Sequence, residues 1–207
     1  MDVRSWTVHL LGYPAVGKRS VGSELVAASQ RSDHRFVMID NHLSANPVLA
    51  VLDAEDVGPA GNEVWDLVDE IRQVVDRAIL ELAPPQRSFV FTNSVMVGHS
   101  SGMRSLARVR RLAATRGSTY VPVALHCDRD ELLRRVPGED RRRHGKWVVT
   151  DQVAAHVDEH RPYEPDDPHL LRLDTTVTPP PASAQAILGH LAALRGAPTG
   201  HRPRGSM

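Results

Sequence analysis

The chain has 207 residues, of which 41% are hydrophobic and 24% are charged, a balance typical of a folded domain and not of a disordered chain. Its 25 basic and 25 acidic residues leave no formal net charge, which argues against a general nucleic-acid binder. One cysteine, Cys127, excludes an intrachain disulfide, and no apolar run resembles a signal peptide or a membrane span, so we expect a cytoplasmic protein.

A glycine-rich loop follows the first apolar run of the chain. The run WTVHLL at 6–11 is typical of a strand, and helical spacing begins at Lys18. Between them stands Gly12-x-x-x-x-Gly17-Lys18, in which glycines leave room for phosphates while backbone N–H groups and the helix start face the anion. The pattern predicts nucleotide binding, with a turn that binds nothing as the alternative. The residues expected to hold the nucleotide are Gly12, Tyr13, Pro14, Ala15, Val16, Gly17, Lys18, Arg19 and Ser20.

The position after Lys18 departs from the simplest form of this motif. Arg19 stands where a Ser or Thr usually binds Mg²⁺, and the hydroxyl comes one residue later, at Ser20. We expect Ser20 to contact a phosphate or the metal, with Mg²⁺ held largely through water. The eleven histidines show no metal-ligand spacing, so no zinc site is expected.

Strand and helix signals alternate along the rest of the chain. Strands are predicted over 35–40, 88–93, 119–126 and 169–173, and helices over 48–53, 63–82, 103–115, 128–136, 150–160 and 179–194. The first of these helices follows Pro47, loops are predicted over 56–62 and 137–146, and Thr150 is expected to cap the helix that it begins. Because Pro122 removes a ladder donor, we expect a bulge or an edge location there. The alternation predicts one α/β domain over 1–195 with a parallel sheet covered on both faces, and a disordered tail over 196–207.

Polar residues close the second and third predicted strands, where ligands of such sheets bind. Asp40 is predicted to act as the base for an acceptor hydroxyl or to bind Mg²⁺, and the alternative is a helix cap or a turn acid. Asn41 and His42 are expected to contact the acceptor, although His42 is equally consistent with a loop histidine. Asn93 ends the third strand where an Asp would be stronger for metal binding, and we expect it near the acceptor.

A cationic segment with glycines follows the fourth strand. We predict a lid over about 134–160, because arginines that close over a transferring phosphoryl group stabilise its charge; a solvated basic loop is the alternative. Arg134 is expected to contact ATP and Arg142 to be the catalytic arginine, although the pattern does not single one out. Arg104, on a separate basic helix, is expected to reach the acceptor. The cations of the segment are Arg134, Arg135, Arg141, Arg142, Arg143 and Lys146.

Taken in order, these features resemble the P-loop small-molecule kinases of the adenylate-kinase, shikimate-kinase and chloramphenicol-phosphotransferase type. The matching parts are GYPAVGKRS at 12–20, Asp40, the arginine-rich segment, RPY at 161–163 and LDTT at 173–176. The resemblance implies a three-layer α/β/α P-loop NTPase fold with a five-stranded parallel sheet, a small helical, arginine-rich lid, and ATP with Mg²⁺. It also implies that Arg161 contacts the acceptor and that Asp174, Thr175 and Thr176 lie against adenine.

Departures from that pattern narrow the function. Asp40-Asn41-His42 stands where shikimate kinases carry Asp-x-Asp, and the arginine pair of nucleoside monophosphate kinases cannot be placed. We therefore predict an ATP-dependent phosphotransferase that moves the γ-phosphate to a hydroxyl of a small molecule such as an antibiotic or another natural product. It is expected to be a monomer or homodimer without nucleic-acid or membrane partners. The alternatives are a regulatory NTPase module without an acceptor, a nucleoside monophosphate kinase, and RNA binding through the arginine helices.

Overall fold

The structure is a computed structural model that describes residues 5–30, 35–52 and 61–196. The predicted helix end at Asp53, most of the predicted 56–62 loop and the tail beyond residue 196 lie outside the described residues. No helix of the described part is long and apolar enough to cross a membrane.

Five strands form one parallel sheet, as predicted. Its spatial order is β2-β3-β1-β4-β5, so β1 lies in the middle and its six residues are all buried. This position explains the continuous apolar run, because a central parallel strand is covered on both faces. The strands are β1 Trp6–Leu11, β2 Phe36–Ile39, β3 Ser88–Asn93, β4 Thr119–His126 and β5 Leu171–Asp174.

Helices cover both faces of the sheet and complete the three-layer fold. Helices α1 and α8 pack on one face around Val8, Leu25 and Ile187, and helices α3 and α4 pack on the other around Phe91 and Val109. The helices are α1 Lys18–Ser29, α2 Asn41–Leu49, α3 Asn62–Glu81, α4 Ser100–Arg116, α5 Arg129–Arg135, α6 Glu139–Arg143, α7 Thr150–Glu159 and α8 Pro180–Gly196.

Two helices differ from the sequence prediction. Helix α2 begins at Asn41 and not after Pro47, because the Asp40 carboxylate accepts a hydrogen bond from the His42 N–H at 2.9 Å and caps the helix. The predicted charged loop over 137–146 contains the short helix α6. Thr150 is the first residue of α7 and makes no cap; Val149 is the N-cap.

Pro122 is not on an edge strand. It lies opposite His9 of β1, and β4 also pairs with β5. That second pairing begins only at Val123, so the position of Pro122 has a strand on one side alone. A missing ladder donor is tolerated at such a position.

Candidate active site

The loop between β1 and α1, the phosphate loop at 12–17, has a backbone conformation that requires its two glycines. Gly12 and Gly17 adopt φ values of 140° and 100°, which side chains disfavour. A Cβ at Gly12 would lie 2.5 Å from the carbonyl oxygen of Leu125, so this position admits only glycine without displacing the β4 backbone. Ala15 also has a positive φ, 65°, in the middle of the loop. The phosphate loop is therefore folded in a strained but ordered form.

Lys18 points back into this loop. Its Nζ donates to the carbonyl oxygens of Gly12 and Tyr13, both at 2.6 Å, and to Ser94 Oγ at 3.0 Å. Burial, followed by the nearby charges of Lys146 and Arg141, lowers the pKa of Lys18 well below its usual value. A phosphate that enters the loop would give this ammonium group a stronger partner than the carbonyls it now holds.

One large cavity of about 970 Å³ opens at the carboxyl ends of the strands. Its lining comes from five parts of the chain. These are residues 14, 15 and 17–21 of the phosphate loop and α1, the first residues of α2, the segment after β3, the arginine-rich segment, and the loop after β5. It is the position where parallel α/β sheets bind ligands. The cavity brings the following predicted residues together: Pro14, Ala15, Gly17, Lys18, Arg19, Ser20, Asn41, His42, Asn93, Arg134, Thr175 and Thr176.

Asp40 lies beside this cavity but beneath two cations. Its Oδ2 is 3.3 Å from Lys146 Nζ and 3.9 Å from Arg19 Nη1, and the residue is only 7% exposed. Burial by itself raises the pKa of Asp40, but Lys146 and the His42 N–H outweigh it, so the pKa lies below its usual value. Lys146 and Arg19 line the cavity, whereas Asp40 does not. The carboxylate is thus ionised and covered in this conformation.

A buried polar chain fixes the side chains at the ends of β2 and β3. His9 Nε2 lies 2.8 Å from Asn93 Oδ1, and Asn93 Nδ2 donates to Asn41 Oδ1 at 3.0 Å. Arg72 donates to the same Asn41 oxygen and pairs with Asp69 at 2.7 Å. Both polar atoms of the Asn93 side chain are therefore engaged, which leaves Asn93 as a fixed part of the cavity wall.

Sequence reasoning missed His9 and Arg72. His9 is fully buried, and burial lowers its pKa to about 3, so it is neutral at physiological pH. Its Nδ1 lies 3.0 Å from the Tyr120 hydroxyl. The one signal in the sequence was a histidine inside an otherwise apolar strand. Arg72 lies on the long amphipathic helix α3, where an arginine side chain is ordinarily exposed to solvent. No feature of the neighbouring sequence indicated that this one would be buried.

The cations of the arginine-rich segment that line the cavity do not include Arg142, the arginine predicted to be catalytic. Arg142 is exposed on α6 and does not line the cavity, whereas Arg141 and Lys146 do. The reason is the helical turn at 139–143, which places neighbouring side chains on different faces. Arg141 donates to the Trp147 carbonyl oxygen at 2.6 Å, and burial lowers its pKa. Arg19 reaches the same segment, where its Nη2 lies 2.6 Å from His144 Nε2.

Neither arginine predicted to contact the acceptor lies at the cavity. Arg104 pairs with Asp66 at 2.8 Å and Asp69 at 3.2 Å on α3. Arg161 is exposed, and its carbonyl oxygen accepts from the Val97 N–H at 2.9 Å. The Arg104 side chain therefore belongs to an ion-pair cluster with α3, and Arg161 contributes a backbone hydrogen bond to the segment after β3.

The loop after β5 is held by Arg135 of α5 and by Asp174. Asp174 accepts from the Thr176 N–H at 2.7 Å and does not line the cavity. Arg135 donates to the carbonyl oxygens of Thr175 and Thr176 at 2.7 and 3.2 Å. Arg134 and Arg135 both pair with Glu131, and these bonds lower the pKa of Glu131 to about 2.

The sequence-predicted metal ligands form no complete site among the residues that the structure describes, where no group of three His, Cys, Asp or Glu could hold a metal ion. Mg²⁺ commonly uses one or two carboxylates and takes its other ligands from water and substrate phosphates. The Ser20 hydroxyl, which lines the cavity, and the Asp40 carboxylate beside it fit that mode of binding.

Known proteins resemble this chain in fold. No model of a protein family matches the sequence, and no curated protein matches it. A candidate kinase from Chloroflexus aurantiacus aligns over 91% of this chain and 97% of its own, with a TM-score of 0.61 and 16% identity. The APS kinase of Mycobacterium tuberculosis, solved with AMPPNP and APS, aligns over 91% and 98% with a TM-score of 0.52 and 16% identity.

The shikimate kinase of Acinetobacter baumannii, solved with shikimate, aligns over 93% of this chain and 96% of its own, with a TM-score of 0.52 and 15% identity. At these identities the likeness concerns the arrangement of strands and helices. The chain has the fold of the P-loop kinases.

Proposed function

We propose that this chain is an ATP-dependent phosphotransferase that moves the γ-phosphate to an alcohol group of a small molecule. The observation that carries the proposal is one cavity that joins the phosphate loop with Lys18 to the Asp40–Lys146 pair. A phosphate site, a carboxylate and a nearby cation are the parts that phosphoryl transfer to a hydroxyl needs. An antibiotic or another natural product as acceptor stays a prediction.

The cations around the loop are suited to a triphosphate. Loop N–H groups, Lys18 and Arg141 would hold the phosphates, and Lys146 would leave Asp40 for the γ-phosphate, which carries more charge than one carboxylate. Mg²⁺, when bound through Ser20 and water, would neutralise charge on the phosphates and leave Asp40 for the acceptor hydroxyl. Arg135 would keep the 175–176 loop in place for the adenine ring.

Transfer would then use the uncovered Asp40. The acceptor hydroxyl oxygen attacks the γ-phosphorus, the bond from that phosphorus to the bridging oxygen of ADP breaks, and the hydroxyl proton passes to the Asp40 carboxylate. Because phosphoryl transfer has a loose transition state, the Asp40 carboxylate serves mainly to orient the hydroxyl and takes the proton late. Water is kept out by the lid segment, which limits wasteful hydrolysis.

The test is transfer of label from γ-labelled ATP to a panel of alcohols by the Asp40→Asn variant. Asn also caps helices well, so the fold should be retained. We expect transfer to fall by about a hundredfold or more while the ATP dissociation constant changes by less than about threefold. The matched control is Asp128→Asn, which changes the carboxylate that caps α5 and should leave transfer intact.

Two results would count against the proposal. Full turnover by Asp40→Asn refutes the role of Asp40. Label released by the wild-type protein only as free phosphate, whatever alcohol is offered, favours the regulatory NTPase module without an acceptor. Nucleoside monophosphates belong in the panel, since the remaining alternative is a kinase that acts on them.

A further inference from the structure

The end of the cavity beneath β2 and β3 is a separate subsite. The sheet order puts the 175–180 loop beside β5 at one edge and helices α2 and α3 beside β2 at the other, with the phosphate loop between them. If the 175–176 loop holds the base, the acceptor must lie toward α2 and α3. We call this part the acceptor end.

One wall of the acceptor end is apolar. Ala45 and Leu49 of α2, Trp65 of α3 and Met96 after β3 line it. Ala45, Leu49 and Met96 are buried and cannot move away easily, while Trp65 packs against the α2 residues and presents a large flat surface. Apolar and aromatic walls gain most from ligands with rings, through area burial and ring contacts.

A second group of ring side chains lines the same cavity. His99, His156 and His160 line the cavity, with ring centroids 4.3 Å apart for His99–His160 and 4.8 Å apart for His156–His160. The ring centroid of Trp147 lies 5.5 Å from the ring centroid of His156. Burial, helped by the neighbouring histidines, lowers the pKa of His156 to about 4, so this ring is uncharged at neutral pH.

The arginines at the acceptor end are already neutralised. Arg72 lines the cavity, yet it pairs with Asp69 at 2.7 Å and donates to Asn41. Arg104, close by, pairs with Asp66 and Asp69. An acceptor with a phosphate or carboxylate at this end would have to displace these aspartates or approach them, and either carries an electrostatic cost.

A single hydroxyl in this wall lacks a partner. Ser105 lines the cavity, is 2% exposed, and its Oγ has no hydrogen-bond partner among the described residues. An unpaired buried hydroxyl destabilises the free protein, and a rotation about the Cα–Cβ bond lets it bond a polar substituent of a ligand.

We infer that the acceptor is an uncharged alcohol that carries a flat ring, with the ring against Trp65 and Met96 and a polar substituent near Ser105. The inference rests on the proposed phosphotransferase function and names the class of its acceptor. Nucleoside monophosphates and hydroxy acids fall outside this class, because the arginines that the structure describes at the acceptor end, Arg72 and Arg104, are already paired with aspartates.

The test compares two probes that differ only in charge, the amide and the acid of para-hydroxymethylbenzoic acid. Saturation-transfer NMR measures binding of each, and of AMP, with the phosphate site filled by a non-hydrolysable ATP analogue. We expect the amide to bind at least about tenfold more tightly than either acid. Equal or tighter binding of an acid, or no detectable binding of the amide, overturns the inference.

Variants locate the binding. Trp65→Ala should weaken amide binding by roughly tenfold, and Ser105→Ala by roughly threefold while leaving thermal stability unchanged or raised. Leu67→Ala is the control, since Leu67 is 52% exposed on the same helix and does not line the cavity. Trp65→Leu replaces Trp65→Ala if the latter fails to fold. Unchanged binding in the Trp65 variant also overturns the inference.

The outcome separates this inference from the proposed function. Phosphate transfer to an acidic acceptor, with the neutral alcohols inert, upholds a phosphotransferase and overturns the neutral acceptor. Amide binding at Trp65 without transfer to any alcohol upholds the chemistry of the acceptor end and counts against a phosphotransferase.

Discussion

Lys146 Nζ lies 3.3 Å from Asp40 Oδ2, across 106 residues of sequence. The contact joins the lid segment after α6 to the start of α2, next to the phosphate loop. Each side chain is largely buried, so the pair must separate before Asp40 can meet a hydroxyl. A nucleotide phosphate is the group best suited to draw Lys146 away.

Replacing Lys146 should change both rate and pH dependence. Without this cation the pKa of Asp40 rises, because burial raises it and Lys146 is the largest influence that lowers it. The acidic limb of the rate profile should therefore move to higher pH in Lys146→Met, and kcat/KM for ATP should fall by about tenfold or more. Lys146→Arg, which keeps the charge, should show the smaller shift. An acidic limb that stays in place in Lys146→Met would contradict the pairing.

The two neighbouring arginines of α6 should behave differently. Arg141 lines the cavity and its buried Nε has no partner among the described residues, whereas Arg142 is exposed. We expect Arg141→Met to lower kcat by about tenfold or more, because a cation beside the transferring phosphoryl group is lost. Arg142→Met should stay within about twofold of wild type. Steady-state kinetics measure both, and the reverse order would restore the sequence-based assignment to Arg142.

Arg135 should matter for nucleotide affinity more than Arg134. Its guanidinium holds the carbonyl oxygens of Thr175 and Thr176, while Arg134 is exposed and contacts Glu131. Arg135→Met should weaken ATP binding by roughly threefold to tenfold in calorimetric titration, because the loop loses its bonds. Arg134→Met is the matched control, with an expected change below about twofold. Equal losses in the two variants would argue against a positioning role for Arg135.

His9 should make the fold sensitive to acid. Its pKa is about 3 in the folded chain and near the ordinary value of 6.5 when unfolded, so below pH 6.5 the unfolded state binds the extra proton. The stability that this histidine contributes is complete above pH 6.5 and is lost as the pH falls toward 3, on the order of 3 kcal/mol by pH 4.

Urea unfolding of wild type and His9→Gln measures this effect. The variant should be less stable at pH 7 by about 1–3 kcal/mol, because Asn93 and Tyr120 lose a matched partner. The gap between the two proteins should narrow as the pH falls from 6.5 to 4, since glutamine does not titrate. A gap that is constant with pH would show that His9 titrates alike in both states.

Patterns local in sequence determined the fold and the phosphate site. Runs of apolar residues bounded by glycine and proline located every strand. A central strand such as β1 is apolar throughout, and the turns between elements carry glycine and proline. The conformation of this loop depends on the backbone of Gly12 and Gly17 and on bonds from Lys18 to the carbonyl oxygens of Gly12 and Tyr13, so the seven residues 12–18 were enough to predict it. The predicted start of α2 was wrong, because the cap that Asp40 provides makes Asn41 the first helical residue.

Tertiary structure alone decided which charged side chains line the cavity. Arg104 and Arg142 look as suitable in sequence as Arg141 and Lys146, but pairing with Asp66 and exposure on α6 remove the first two from the cavity. Whether a side chain lies at the cavity depends on ion-pair partners far along the chain and on the face of a short helix that it occupies. Neither produces a periodic pattern in the sequence. The same holds for His9, whose role follows from strand register that places it between Asn93 and Tyr120.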